Sequence, residues 1–208
     1  MGKIEENKKE KKQALLHAAF ELFTEKGIDN TSVSEIAKGA KLGKGTFYLY
    51  FKDKFEIQNC LIAHQANMIF EKANHKLNDK VLEKAVESLE DCVIYLADNI
   101  IDQLNENPSL LRFISKNLSW GVFSSIRIFD LDNRNCMDVF ESLLEASKKK
   151  YRQEELMIYM IVELINATCY NVILYKSPVD LQTLKTELFI TVRNILHQFE
   201  CVPAFPEK

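Results

Sequence analysis

TSVSEIAKGAKLGKGTFYLYFKDK, residues 31–54, is the stretch on which the reading of the fold turns. Ser32-Val33-Ser34-Glu35 has the form of a capping box and opens a short helix that presents Val33, Ile36, Ala37 and Ala40. A tight turn at Gly39 to Gly43 follows, and Gly43 sits where a brief third helix, about Lys44 to Tyr50, begins. Asp53-Lys54-Phe55-Glu56 is a further box and starts a long helix predicted to reach His75 or Lys76. Upstream, Asn7-Lys8-Lys9-Glu10 reads as the first box. Behind it Ala14, Leu15, Ala18, Leu22 and Phe23 form one apolar stripe that Gly27 stops. Closely spaced caps make this the best-specified part of the chain.

Two helices, a tight turn and a very short third helix match a helix-turn-helix, whose second element enters the major groove of DNA while the first crosses the backbone. The residues suit that use. Lys44 and Gly45 lie in the first turn, where a cation and a bare backbone both approach DNA. Thr46 and Tyr48 offer hydroxyls to phosphates, and Lys52 and Lys54 bring charge to the adjoining backbone. Phe47 and Phe51, four apart, are expected to point inward. The competing reading makes the aromatics core and the lysines solvated surface.

Thr31-Ser32-Val33-Ser34-Glu35-Ile36-Ala37 through Lys44-Gly45-Thr46-Phe47-Tyr48-Leu49-Tyr50-Phe51-Lys52-Asp53-Lys54 resembles the TetR family of bacterial transcriptional regulators. The resemblance covers about residues 10–56. It implies an all-α fold: a three-helix helix-turn-helix domain at residues 1–54 (motif about 33–52), then a helical effector-binding and dimerisation domain at 55–208. It further implies a homodimer on a palindromic operator of double-stranded DNA, released when a small molecule binds the second domain. The family's base-reading positions fall on Lys44, Gly45 and Leu49. Its phosphate contacts fall on Thr31 or Ser32, Thr46, Tyr48, Tyr50 and Lys52. Two positions depart from the pattern: Lys41 replaces the usual turn glycine, and Gly43 replaces the usual serine. A lysine at φ > 0 costs on the order of 1 kcal/mol unless Gly39 or Gly43 takes the turn.

Composition agrees. Of six glycines, four (Gly27, Gly39, Gly43, Gly45) fall within 19 residues, and no proline precedes Pro108, which argues against an all-β chain. The net charge of −3 hides an asymmetry: residues 1–54 carry 11 Lys against 8 acidic residues, and residues 55–208 carry 16 basic against 22 acidic. Lys41 to Lys54 alone holds four Lys and one Asp, so the proposed DNA face is basic. Residues 1–54 contain no arginine, which leaves Lys44 as the nearest substitute for bidentate reading of guanine.

Beyond residue 80 the 3.6-residue period predicts helices at 82–106, 109–118, 136–149, 153–176 and 180–199, with Asp180 as a cap. Residues 120–131 are either helix or an irregular connection. Large apolar and polar residues on these helices and the preceding one give a candidate effector pocket. It comprises His64, Asn67, Phe113, Asn117, Trp120, Phe123, Met137, Phe140, Met160, Asn166 and Tyr170. The alternative is that most of these fill the core. No Arg or Lys cluster accompanies them, so the expected effector is small and largely uncharged. The last two helices are apolar on more than one side and therefore call for a second subunit.

Other classes find little support. HExxH, GxSxG, paired-Cys and Gly-rich cofactor motifs are absent, so neither an enzyme nor a cofactor is expected. Cys60 and His64 share a helix face, but two ligands do not make a metal site. The N-terminus lacks an apolar signal core and no stretch approaches 18 uninterrupted apolar residues, so a cytoplasmic protein without a membrane partner is expected. The alternative function keeps the DNA-binding domain and puts the second domain under the control of a protein partner.

Overall fold

The computed structural model describes residues 3–115 and 136–201. Their order is α1 (Lys3–Lys26), α2 (Val33–Gly39), α3 (Lys44–Tyr48), α4 (Lys54–Leu82), α5 (Leu89–Glu106), α6 (Pro108–Ser115), α7 (Cys136–Ala146), α8 (Glu154–Tyr175) and α9 (Leu181–Phe199). Among the described residues there is no strand, only an antiparallel bridge between Tyr151 and Glu200. The all-α expectation holds.

Two compact units emerge among the described residues, one at 3–65 and one at 66–115 with 136–201. In the first, Leu15, Ala19, Ile36, Phe47, Ile57 and Ile62 are fully buried. Gly39 permits the close approach of α2 to α1, since a Cβ there would stand 3.1 Å from the Ala18 Cβ. In the second, α5 packs on α6, α7, α8 and α9, and α8 packs on α6 and α9. Leu96, Ile101, Leu111, Met157 and Leu196 form its interior. Lys185 of α9, only 8% exposed, ties that helix to α5 between Asp98 at 2.6 Å and Asp102 at 2.5 Å. Burial alone would lower the Lys185 pKa, but the two carboxylates raise it above the usual lysine range.

Several helix ends differ from those expected. α1 starts at Lys3, so Asn7 lies inside the helix rather than capping it; Glu5 and Glu6 in the first turn complement the helix dipole. α4 continues to Leu82 because its apolar period continues through Phe70, Ala73 and Leu77, all buried. The helix expected from residue 82 begins only at Leu89, where Ser88 accepts the Asp91 N–H at 3.1 Å. α7 stops at Ala146, and the expected end of the 109–118 helix, with residues 120–131, lies outside the described residues. Asp180 caps α9 as expected, taking the Thr183 N–H at 3.0 Å.

α8 stands apart in chemistry. By length and composition it is apolar enough to cross a membrane, with a mean hydropathy of 1.6 over 18 residues, yet only 28% of that window is buried. Leu156, Tyr159 and Met160 are among its exposed apolar side chains.

The α2–α3 turn resolves the question of the missing glycine. Lys41 itself takes φ = 57°. Leu42 N–H donates to the Ala37 carbonyl at 2.8 Å and Lys41 N–H to that of Lys38 at 3.0 Å, which is a Schellman ending with lysine in the left-handed position. Lys41→Gly should therefore raise stability by about 1 kcal/mol. Urea denaturation with an unchanged or lower midpoint would show that the lysine is unstrained.

Candidate nucleic-acid interface

The first unit positions α3, a helix of five residues that cannot persist alone. Its support comes from both ends and from beneath. Beneath it, Phe47 (0% exposed) and Phe51 (2%) are buried with ring centroids 5.7 Å apart, and Tyr48 meets Phe47 edge-on at 5.5 Å. The inward orientation expected of the two phenylalanines is observed. Gly43 caps the helix through its extended backbone (φ −76°, ψ 151°) without a side-chain hydrogen bond.

Ahead of α3, the capping box of α2 is complete. Ser32 N–H donates to Glu35 Oε2 at 2.9 Å, the Ser32 hydroxyl donates to the same oxygen at 2.8 Å, and Glu35 N–H returns to Ser32 Oγ at 3.2 Å. Lys26 Nζ adds a bond of 2.5 Å to Glu35 Oε1. The ammonium of Lys26, followed by the two Ser32 groups, lowers the Glu35 pKa to about 2. After α3, Asp53 Oδ1 accepts the N–H groups of Phe55 and Glu56, both at 2.9 Å. Glu56 does not return to Asp53 as a regular box would; its carboxylate accepts from Lys52 N–H.

What remains on the surface is a compact set. Lys44, Gly45, Tyr48, Leu49 and Lys52 are exposed, and Thr46 and Tyr50 are half-buried. A Cβ at Gly45 would meet nothing within 4 Å, so the backbone there faces open space. This is a cationic, hydroxyl-bearing surface whose anchoring residues all point the other way.

Two expected phosphate ligands are placed differently. Thr31 is 3% exposed and its hydroxyl donates to the Gly27 carbonyl at 2.8 Å. Of the pair Thr31 or Ser32, only Ser32 therefore lies at the surface. Lys54 is turned inward: its ammonium donates to the carbonyls of Ile28 (2.8 Å), Thr31 (3.2 Å) and Asp29 (3.3 Å). It satisfies backbone carbonyls of the loop between α1 and α2, so the DNA-contact assignment is corrected to a scaffold role. Sequence inspection missed this because the carbonyls lie 23 to 26 residues away.

The candidate effector residues are not gathered into one place. Asn67, Phe113 and Phe140 are buried in the second unit, and Met137, Asn166 and Tyr170 are half-buried there. Phe140 stacks 5.8 Å from Phe70, a residue that the sequence reading passed over. His64 is exposed, and Met160, 38% exposed, belongs to the outer stripe of α8, so neither lies in an interior pocket. Asn117, Trp120 and Phe123 lie outside the described residues. Burial raises the Cys60 thiol to about 11, which disfavours the thiolate that a metal shared with His64 would require. A second potential ligand group, Glu90, His197 and Glu200, lies within 4.8 Å. Lys149 already serves it as the cation, at 2.7 Å from Glu90 and 3.0 Å from Glu200.

Residues 15–58 match the family described as bacterial regulatory proteins, tetR family. That match places the helix-turn-helix segment of the chain with the DNA-binding domains of this family. The uncharacterized HTH-type transcriptional regulator YuxN of Bacillus subtilis is 50% identical over 46 residues, 22% of this chain and 16% of that protein. The fatty acid metabolism regulator protein of the same species is 34% identical over 77 residues, 37% of this chain and 40% of that one. The chain thus aligns with less than half the length of these relatives. Among solved structures, FadR from Bacillus subtilis in complex with stearoyl-CoA superposes with a TM-score of 0.59 at 20% identity, over 86% of this chain and 96% of that one. That likeness establishes a shared fold along most of the chain.

Two outcomes follow from the scaffold. Glu35, with its pKa lowered, contributes stability that is complete above about pH 4.5, the value for a free glutamate, and is lost as pH falls through about 2. Glu35→Gln should remove that dependence, so the difference in denaturation midpoint between the two proteins should shrink between pH 4.5 and 2. Lys54→Met should lower stability by about 1.5–3 kcal/mol, as expected for a charged hydrogen-bond donor. A thermal melt indistinguishable from that of the unaltered protein would show that the three carbonyls do not depend on it.

Proposed function

We propose that this chain is a dimeric, sequence-specific regulator of transcription, released from a palindromic operator by a lipophilic effector. The observation that carries the reading is the surface of α3. Lys44, Gly45, Tyr48, Leu49 and Lys52 are exposed together while Phe47 and Phe51 anchor the helix from beneath. In this reading Lys44, Gly45 and Leu49 meet base edges, and Ser32, Thr46, Tyr48, Tyr50 and Lys52 meet phosphates.

A second copy of the chain is the partner proposed for α8 and α9. A 22-residue helix with an 18-residue window of mean hydropathy 1.6, only 28% of it buried, leaves apolar surface for another subunit to cover. Leu156, Tyr159, Met160 and Tyr175 of α8 and Ile190 of α9 are among its exposed side chains. Two α3 helices held about 34–36 Å apart would enter successive major grooves. The effector shifts a two-state equilibrium away from that spacing. α4 contributes residues to both compact units and is the proposed link. A relative named as a fatty acid metabolism regulator and a fold neighbour solved in complex with stearoyl-CoA support an effector with a long apolar chain.

Tyr48→Ala should abolish operator binding while circular dichroism and sedimentation remain those of a folded dimer, because Tyr48 is 51% exposed. Normal affinity in fluorescence anisotropy would mean that α3 is not the DNA-facing element. Lys52→Gln should weaken binding evenly across sequences and reduce the slope of log affinity against log salt by about 0.9 for each phosphate that the lysine neutralises. Sedimentation showing only monomer at micromolar concentration would remove the dimer. Failure of stearoyl-CoA and of an uncharged long-chain ester alike to dissociate the DNA would remove the proposed effector class and favour a protein partner; dissociation by stearoyl-CoA alone would overturn the expectation of a largely uncharged effector.

A further inference from the structure

Leu49 is 81% exposed, more than any other large apolar side chain described in residues 3–65. It forms the C-cap of α3 with helical angles (φ −75°, ψ −20°), so it continues the face that begins at Gly45, four residues earlier. Gly45 carries no Cβ, and one placed there would meet nothing within 4 Å, so a groove wall can come close to this face. The neighbouring exposed groups Lys44, Tyr48 and Lys52 are cationic or hydroxyl-bearing. A lone leucine among them is too isolated to form an apolar docking patch for a protein.

Leucine offers no hydrogen-bond donor or acceptor, so it reads neither phosphate nor the polar edges of bases. The apolar feature of the major groove is the C5-methyl group of thymine. Residues 1–54 contain no arginine, so Lys44 is the cation at the base-reading positions and shape carries a larger share of discrimination. We infer that Leu49 packs on the C5-methyl of a thymine in each operator half-site and is a specificity-determining residue. This rests on the DNA-binding reading above.

The test begins with selection of duplexes from a random DNA library by the full-length chain. Each thymine of the selected sequence is then replaced in turn by deoxyuridine, which lacks only the methyl group. At one symmetric pair of positions, affinity should fall about fourfold for one half-site and about fifteenfold for both, the value of burying one methyl group per site. Leu49→Ala should lose affinity for thymine DNA and show no further loss on the deoxyuridine duplex. Because the side chain is exposed, the variant should melt as the unaltered protein does. If no sequence is enriched, the DNA-binding reading itself fails. If a sequence is enriched but tolerates deoxyuridine everywhere, or if its sensitivity persists in Leu49→Ala, the role of Leu49 fails and the DNA-binding reading stands.

Discussion

A five-residue helix does not hold itself together in water, because too few hydrogen bonds form to offset the cost of fixing its backbone. α3 therefore depends on what is buried under it, and Phe47, wholly shielded from solvent, is the central contact of the first unit. Much of that unit serves this one requirement. Gly39 lets α2 lie close on Ala18, the Ser32–Glu35 box starts α2, and Asp53 restarts the chain into α4 directly after α3. Lys54 fastens the loop that leads into α2 by capping three of its carbonyls. Because the supporting residues point inward, the outer face of α3 is left to vary, which suits a module whose target is set by a few side chains.

The second unit solves a different problem. Its helices carry more apolar surface than their own packing covers, above all on α8. Several charged residues within it are paired across elements: Lys185 with Asp98 and Asp102, Lys149 with Glu90 and Glu200, Arg193 with Asp91 at 2.9 Å. Burial works against the charge of Glu90, 6% exposed, but the hydrogen bond from Lys149, a backbone hydrogen bond and the Lys149 charge together hold its pKa below the ordinary glutamate value. Each pair joins segments far apart in the chain, and Lys149 lies beside the short antiparallel bridge at Tyr151 and Glu200. Breaking one partner of such a pair leaves the other charge uncompensated.

Local rules carried the sequence reading a long way. The caps at Ser32, Gly43, Asp53 and Asp180 were legible because a cap involves residues within three or four positions of one another. The inward turn of Phe47 and Phe51 was legible from their spacing alone. The same rules failed where two local signals competed. Asn7 resembles a cap but lies within α1, whose first turn already carries Glu5 and Glu6. Ser88 was missed as a cap because apolar residues continue on both sides of it, so the period runs on while the backbone breaks.

Sequence alone determined the helical class, the short α2–α3 element and the basic character of residues 41–54, since these rest on composition and near-neighbour spacing. Only the tertiary structure decided which cations remain at the surface. Lys52 and Lys54 are two residues apart and chemically identical, yet Lys52 is exposed while Lys54 ends on the carbonyls of residues 28, 29 and 31. The same holds for Lys41, whose left-handed turn depends on how α2 must end rather than on its own preference. Met160 likewise lies on an exposed stripe while Met157, three residues before it, is buried. For the lysines at 52 and 54 and for the two methionines the reason is the same: the destination of a side chain is set by partners distant in sequence, and a pattern of neighbours cannot contain them.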